Sequence, residues 1–230
     1  FLVKRMVVQM KVVLNHKSNL TYSEIIDYYN KIEDLFPNDN LIVCPSTCYL
    51  PIFKDVTLGS QDISSYKMGS YTGEVSGEAL KSLGVKYVFI NHSERRHFKN
   101  ETLTDVKEKL KRAKENNLIP ILCIGEEKDE NTIDVLSTDL DYLLSDLSFD
   151  KLYISYEPCY SIGTGIVPNK DKLISVFEFL HNKYNYPLFY GGSVSKENIA
   201  TFKEIPYLAG VLLGKASLDI EEIKEILKQI

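Results

Sequence analysis

The sequence predicts an α/β fold: a single-domain (β/α)8 barrel in which eight parallel strands alternate with helices. Short apolar runs alternate with amphipathic segments along all 230 residues, which is typical of strand–helix units around one parallel sheet. The runs show no strict polar–apolar alternation, as expected for parallel strands covered on both faces. No linker or low-complexity segment divides the chain. A doubly wound open sheet is the alternative, because periodicity alone does not separate it from a closed barrel.

Each predicted strand is a short apolar run between polar or turn residues. The strands are expected, in chain order, at residues 11–14, 41–44, 56–59, 87–90, 119–124, 152–156, 187–190 and 210–213. Between them, Thr21 and Glu24 have the spacing of a capping box and predict the start of the first helix. Apolar residues repeat at helical spacing in four segments, which predicts the core-facing sides of helices. These residues are Ile25, Tyr29 and Ile32; Ile133, Leu136, Leu140 and Leu143; Leu173, Phe177, Leu180 and Tyr184; and Ile220, Ile223, Leu227 and Ile230.

The composition is that of a globular protein, with 44% hydrophobic and 26% charged residues. The net charge of −5 argues against a nucleic-acid partner, because domains that bind nucleic acids are usually basic. No run approaches the ~18 apolar residues of a membrane span, so no membrane partner is expected. Residues 1–9 do not have the pattern of a signal peptide. We expect them to be an N-terminal extension before a start at Met10, with the barrel over residues 10–230.

The cysteines give no sign of a metal site or a disulfide framework. Cys44, Cys48, Cys123 and Cys159 form no CxxC pair and have no metal-binding spacing to histidines. Reduced thiols in a cytoplasmic protein are the expectation.

Polar residues at the ends of the predicted strands are the candidates for chemistry, because a barrel places its active site at the carboxyl ends of its strands. Lys17 follows strand one and is a candidate to hold an anion, although a surface lysine would look the same. His92 follows strand four and is a candidate acid or electrophile, or a strand-end histidine bonded to backbone. Glu157 follows strand six and is a candidate base, or a charge on the rim.

Glycine-rich turns offer possible anion cradles on the same rim. Residues 163–165 (GTG) lack the third glycine of a dinucleotide fingerprint, but they suit a flexible loop that closes on a phosphate. Residues 191–193 (GGS) and Gly214 follow strands seven and eight, where barrels commonly bind phosphate. For Arg95 and Arg96 we expect a structural role, in an ion-pair network or on a solvated face, although an anion site is the alternative.

Seven motifs, in order and on the expected strands, resemble the triosephosphate isomerase family over residues 10–230. They are NHK (15–17), SYTGEVS (70–76), NHSERR (91–96), CIGE (123–126), YEPCYSIGTG (156–165), YGGSV (190–194) and GKASL (214–218). The resemblance implies a TIM barrel and a cytoplasmic isomerase of glycolysis and gluconeogenesis. It implies interconversion of dihydroxyacetone phosphate and D-glyceraldehyde 3-phosphate through an enediolate, without a cofactor.

The resemblance also implies residue roles. Glu157 would be the general base, His92 the neutral electrophile and Lys17 the stabiliser of substrate charge. Residues 159–165 would form a closing lid. The supporting residues would be Asn15 and Glu94 beside Lys17, Ile162 and Leu212 over the base, and Gly163, Ser193, Gly214 and Lys215 at the phosphate.

The loop 65–76 matches the family's docking loop, which predicts a homodimer with Thr72 near the neighbouring site.

Some positions depart from the family pattern. Lys215 stands where a second glycine is usual, and His16 and Tyr160 replace tryptophans. The segments 126–157 and 165–190 are short, which predicts shortened outer helices. A different isomerase or aldolase on the same barrel would be expected to lack the His92–Glu157 combination. A non-catalytic binding barrel would be expected to have lost Lys17, His92 or Glu157, and all three are present.

Overall fold

A computed structural model describes residues 10–230 and contains a closed barrel of eight parallel strands, which confirms the predicted fold class. The predicted extension at residues 1–9 lies outside the described residues. The barrel closes because the last strand pairs with the first, with Val12 opposite Val211, and this excludes the open-sheet alternative. The strands are β1 (Lys11–Asn15), β2 (Leu41–Cys44), β3 (Thr57–Ser60), β4 (Tyr87–Ile90), β5 (Ile119–Ile124), β6 (Tyr153–Tyr156), β7 (Leu188–Tyr190) and β8 (Leu208–Leu213).

Helices surround the barrel, and the predicted apolar stripes lie on four of them. The capping box is present, since the Thr21 backbone N–H donates to Glu24 Oε2 at 2.7 Å. No helix within residues 10–230 is long and apolar enough to cross a membrane. The helices are α1 (Tyr22–Ile32), α2 (Gly77–Ser82), α3 (Ser93–Lys99), α4 (Leu103–Glu115), α5 (Thr132–Leu144), α6 (Lys170–Tyr184), α7 (Ile199–Phe202) and α8 (Ile220–Gln229).

The hydrophobic core has two layers. The larger layer lies between strands and helices and takes the buried residues of the helical stripes, such as Leu140 and Phe177. The smaller layer fills the barrel interior and so makes it a packed core, as expected for this architecture. Its buried members are Val13, Ile42, Cys44, Tyr87, Phe89, Ile121, Cys123, Phe189 and Leu212.

Arg95 belongs to a charged cluster beneath the rim, as its predicted structural role requires. Its guanidinium lies 2.9 Å from Asp62 Oδ2. Lys109, which is 4% exposed, contacts Asp62 at 2.6 Å and also pairs with Glu101. Burial raises the pKa of Asp62, against the opposing effect of Lys109. The cluster joins α4 to α3 and to the loop after β3.

His16 is fully buried directly after β1, and neither ring nitrogen has a hydrogen-bond partner within the described part of the chain. Its ring packs edge-on against Tyr28 at 4.6 Å between centroids and also faces Phe53. Burial lowers the pKa of His16 to about 4. Folding therefore favours the neutral imidazole.

We predict that His16→Phe makes the fold less sensitive to acid. Between pH 6.5 and pH 4 the unfolded chain binds a proton at His16 that the folded chain does not bind. The free energy of unfolding of the parent should therefore fall by up to about 3 kcal/mol as the pH falls through this window. The variant has no histidine at this position and should not show this part of the decrease. Urea unfolding at pH 7 and pH 5 measures the difference. His181→Phe is the matched control, and equal acid sensitivity of the parent and His16→Phe would contradict the prediction.

Candidate active site

A cavity of about 880 Å³ opens at the carboxyl ends of the strands, and it brings together most of the predicted site residues. Two predicted residues do not line it. Glu94 contacts Lys17 from the side, and Thr72 lies exposed on a separate loop. The ten predicted residues that line the cavity are Asn15, Lys17, His92, Glu157, Ile162, Gly163, Ser193, Leu212, Gly214 and Lys215.

Glu157 follows β6 and is 1% exposed. Ser155 Oγ donates to its Oε1 at 3.0 Å, whereas Oε2 has no hydrogen-bond partner among the described residues. A buried carboxylate oxygen without a partner is costly in a protein interior, so the position is typical of a functional group. The Cys123 thiol lies beneath it, and burial and then Glu157 raise the pKa of that thiol.

Two glycines leave room for Glu157. A Cβ at Gly191 would lie 2.5 Å from Glu157 Cγ. A Cβ at Gly125 would lie 1.9 Å from the Glu157 carbonyl oxygen. Side chains at these positions would displace the carboxylate or its backbone, so the neighbouring strand ends fix where Glu157 can lie.

His92 faces Glu157 across the cavity. Its Nε2 lies 3.7 Å from Glu157 Oε2, and its Nδ1 accepts a hydrogen bond from the Glu94 backbone N–H at 3.2 Å. An accepting Nδ1 carries no proton, so the ring proton of a neutral imidazole lies on Nε2. His92 is also the N-cap of α3, and its side chain accepts the capping hydrogen bond. The capping bond therefore leaves Nε2 facing the cavity.

Lys17 supplies a cation at the other side of the cavity. Its Nζ lies 2.7 Å from Glu94 Oε1, and both side chains are partly exposed. Its backbone has a positive φ of 53°, which is unfavourable for a lysine. The Asn15 side chain accepts from the Lys17 N–H at 3.0 Å, and the Gln61 amide and the Ser46 hydroxyl donate to the Lys17 carbonyl. These bonds hold the strained residue in place.

The predicted lid is docked on the turn after β7. Ser193 Oγ donates to the Ser161 carbonyl at 2.7 Å and accepts from the Gly165 N–H at 3.0 Å. Gly163 and Gly165 have φ values of +69° and +80°, which other residues rarely adopt. Ser193 was predicted as a phosphate ligand, and here its hydroxyl is committed to the lid.

The start of the lid is tied to the buried carboxylate of Glu126. Residues Cys159–Ser161 form a 3₁₀ turn, and the Tyr160 hydroxyl accepts from Lys172 Nζ at 2.9 Å. The same ammonium group lies 2.8 Å from Glu126 Oε1, and Glu126 is 1% exposed. The start of the predicted lid thus rests on a charge pair between the end of β5 and the start of α6.

Lys215 begins the short 3₁₀ turn Lys215–Leu218, directly after β8. The side chain is exposed at the cavity and brings a second cation to the rim beside Lys17. The turn is fixed from below, because the Ser217 hydroxyl donates to the carbonyls of Gly214 and Asn15.

Some supporting residues were not predicted from the sequence. Three of them belong to none of the seven motifs, and their contacts depend on the folded structure. Ser155 contacts Glu157, Ser46 contacts Lys17, and Lys172 contacts Tyr160. Gln61 had a usable signal, because it is a polar residue that follows strand three on the predicted rim.

The chain resembles known proteins over its whole described length. A family model described as triosephosphate isomerase matches residues 10–230. A triosephosphate isomerase of Campylobacter hominis is 35% identical over 233 residues, covering 96% of this chain and 100% of the relative. The protein of that name from Wolbachia pipientis wMel is 37% identical over 232 residues, covering 95% of this chain and 93% of the relative.

A more distant relative of the same name, from Mesomycoplasma hyorhinis, is 33% identical over 234 residues and covers 94% of this chain and 96% of its own length. The identities and coverage, together with the family model and the closed barrel, give one conclusion. The chain belongs to the triosephosphate isomerase family, a family of isomerase enzymes.

Proposed function

We propose that this chain interconverts dihydroxyacetone phosphate and D-glyceraldehyde 3-phosphate through an enediolate, without a cofactor. The observation that carries the proposal is the pairing of Glu157 and His92. A carboxylate oxygen without a partner among residues 10–230 lies 3.7 Å from an imidazole Nε2, in one cavity with a lysine ammonium group. The family membership and the relatives' names support the same activity.

In the proposed reaction Glu157 acts as the general base. Its Oε2 takes the proton from the carbon next to the substrate carbonyl, and the electron pair moves to the carbonyl oxygen. The Nε2–H of His92 polarises that oxygen and exchanges protons with the enediolate oxygens. The carboxylic acid then returns the proton to the neighbouring carbon, which completes the isomerisation without net oxidation.

Lys17 is proposed to neutralise the developing negative charge, since its ammonium group is fixed by Glu94 at 2.7 Å. Asn15 orients the backbone of Lys17 and faces the same cavity. Charge stabilisation by a group already in place costs little reorganisation during the reaction.

The phosphate group is assigned to the glycine-rich side of the cavity, at Gly163, Ser193, Gly214 and Lys215. Residues 159–165 form the closing lid in this proposal. With Ile162 and Leu212 they exclude water from Glu157, which protects the enediolate from loss of phosphate. Binding of the distant phosphate supplies free energy for closure.

A homodimer is the proposed assembly, with Thr72 near the neighbour's cavity. The loop that carries Thr72 exposes Tyr66, Met68 and Tyr71, and the two tyrosine rings stack at 4.2 Å. Three large apolar side chains exposed together on one loop are typical of a protein–protein interface. A cytoplasmic enzyme of glycolysis and gluconeogenesis is the proposed setting.

The activity is tested by following glyceraldehyde 3-phosphate with a coupled enzyme that oxidises NADH as dihydroxyacetone phosphate forms. Glu157→Asp withdraws the carboxylate from the reacting carbon, so we predict that it lowers kcat at least ~10²-fold. Glu204→Asp, at an exposed ion pair, is the matched control and should keep parent turnover. Near-normal turnover of Glu157→Asp would refute the base assignment.

Lys215→Gly tests the unusual cation in the turn after β8. We predict an unchanged or lower KM for the triose phosphate, because backbone N–H groups supply the phosphate contacts in this proposal. Lys215→Ala is the companion variant, since it removes the charge and keeps a Cβ. A large rise in KM in both variants would show that the lysine side chain binds the substrate.

Light scattering after gel filtration tests the dimer. At micromolar concentration the parent is expected at twice the 26.3 kDa mass of the chain. Met68→Asp places a charge on the exposed loop and should shift the mass to that of a monomer. Lys31→Asp, on the exposed face of α1, is the control that should leave the mass unchanged. A parent that elutes only as a monomer would overturn the proposal.

A further inference from the structure

A second group of chemically active side chains lies outside the cavity, at the base of the lid. His97, Glu127 and Cys159 each offer a ligand atom, and these atoms all lie within 4.8 Å of one another. His97 Nε2 is 2.7 Å from Glu127 Oε1. The three residues come from α3, the loop after β5 and the first position of the lid turn. Only the barrel fold brings them together.

We propose that His97, Glu127 and Cys159 bind a divalent cation of borderline softness, of which Zn²⁺ is the model. Thiolate, imidazole and carboxylate are the ligands that Zn²⁺ takes in proteins, at about 2.0–2.3 Å. The histidine and glutamate side chains are about half exposed, so both can rotate to admit an ion and water can complete the fourth position. The exposed side of the cluster also provides an entry path from solvent.

Cys159 would bind the cation as a thiolate. Burial, followed by a hydrogen bond to Glu127, raises the pKa of its thiol to about 11, so the free thiolate is scarce near neutral pH. Metal binding would replace the thiol proton, which leaves to solvent as the sulfur–metal bond forms.

Arg96 contacts the sulfur at 3.4 Å, but it is fixed by bonds to the carbonyls of Asn91 and Gly125. Its positive charge opposes the cation. The carboxylate of Glu127 and the thiolate of Cys159 together neutralise the charge of a divalent ion. With Arg96 included, the occupied site carries a net charge of +1.

Occupancy of this site would restrain the lid. Cys159 lies two residues after Glu157, and its backbone N–H donates to the Glu126 carbonyl at 3.0 Å. A cation held by Cys159 and by two side chains outside the lid adds a cross-link at the position where the lid begins. Binding of the cation does not depend on the proposed isomerase activity. The restraint of the lid does rest on that proposal, because the closing lid is part of it.

The test is a titration of the chelator-treated full chain with Co²⁺ and with Zn²⁺. Co²⁺ reports thiolate ligation by a near-ultraviolet charge-transfer band, and calorimetry gives the Zn²⁺ affinity. We expect one equivalent to bind. Cys159→Ser and His97→Asn should each weaken binding at least ~10-fold, since even the loss of an outer partner of a metal site costs about that much. Cys48→Ser, at an exposed cysteine in the 3₁₀ segment Thr47–Ile52, should leave affinity and spectrum unchanged.

Either of two results of the Co²⁺ titration would overturn the site. One is that the parent shows no stoichiometric band, and the other is that the band survives in Cys159→Ser and His97→Asn. If Cys159→Ser does not fold by circular dichroism, Glu127→Gln gives the same comparison.

In the activity arm, saturating Zn²⁺ should lower kcat at least ~10-fold in the parent and not in His97→Asn. Chelator should restore the rate. Unchanged parent turnover with the band intact would overturn the lid restraint and keep the site. An inactive parent that still shows the band would count against the isomerase proposal alone.

Discussion

The pairing of β8 with β1 is the constraint on which the rest of the structure depends. Lys17, His92 and Glu157 follow strands that are far apart in sequence, and they meet only because the sheet closes. Closure is possible at Gly210, which lies opposite Lys11. A Cβ there would lie 2.6 Å from the Lys11 carbonyl oxygen and 2.7 Å from the Phe189 ring. A glycine at the seam therefore lets the two edges approach, while the packed interior below keeps the rim in a fixed shape.

A second consequence of closure is that the reactive groups are held by backbone as much as by side chains. Glycines on both neighbouring strand ends confine Glu157, a backbone N–H fixes the tautomer of His92, and the strained backbone of Lys17 is bonded by three side chains. Such contacts leave each functional atom few alternative positions. The strain at Lys17 is tolerated because the surrounding bonds offset its cost of about 1–3 kcal/mol.

The sequence predicts the strands well because each is an apolar run, and runs depend only on local composition. It predicts which residues lie at the rim because they directly follow the predicted strands. The roles expected for these residues come from the resemblance of seven motifs, in the same order, to a known family. It does not predict how Ser193 is used, because its two bonds to the lid join segments about 30 residues apart. Nor does it predict that His16 is buried with neither ring nitrogen paired to any residue that the structure describes, because a histidine after a strand is equally compatible with exposure. These features depend on side-chain packing between distant segments, which no local pattern records.

The freedom of movement proposed for the lid at residues 159–165 depends on how this segment is attached. Ser193 contributes two hydrogen bonds, one to Ser161 in the first turn of the segment and one to Gly165 at its far end, and the Tyr160 hydroxyl accepts one from Lys172. The two Ser193 bonds are neutral and contribute about 1 kcal/mol each, whereas the bond from the ammonium group is charge-assisted and contributes about 1.5–3 kcal/mol. The strong interaction, between Lys172 and the buried Glu126, is outside the lid and can persist when Tyr160 turns away. Opening of the proposed lid would break these hydrogen bonds and leave Glu126 paired with Lys172, whereas a lid side chain paired with the Glu126 carboxylate would leave that buried charge unpaired at a cost of several kcal/mol.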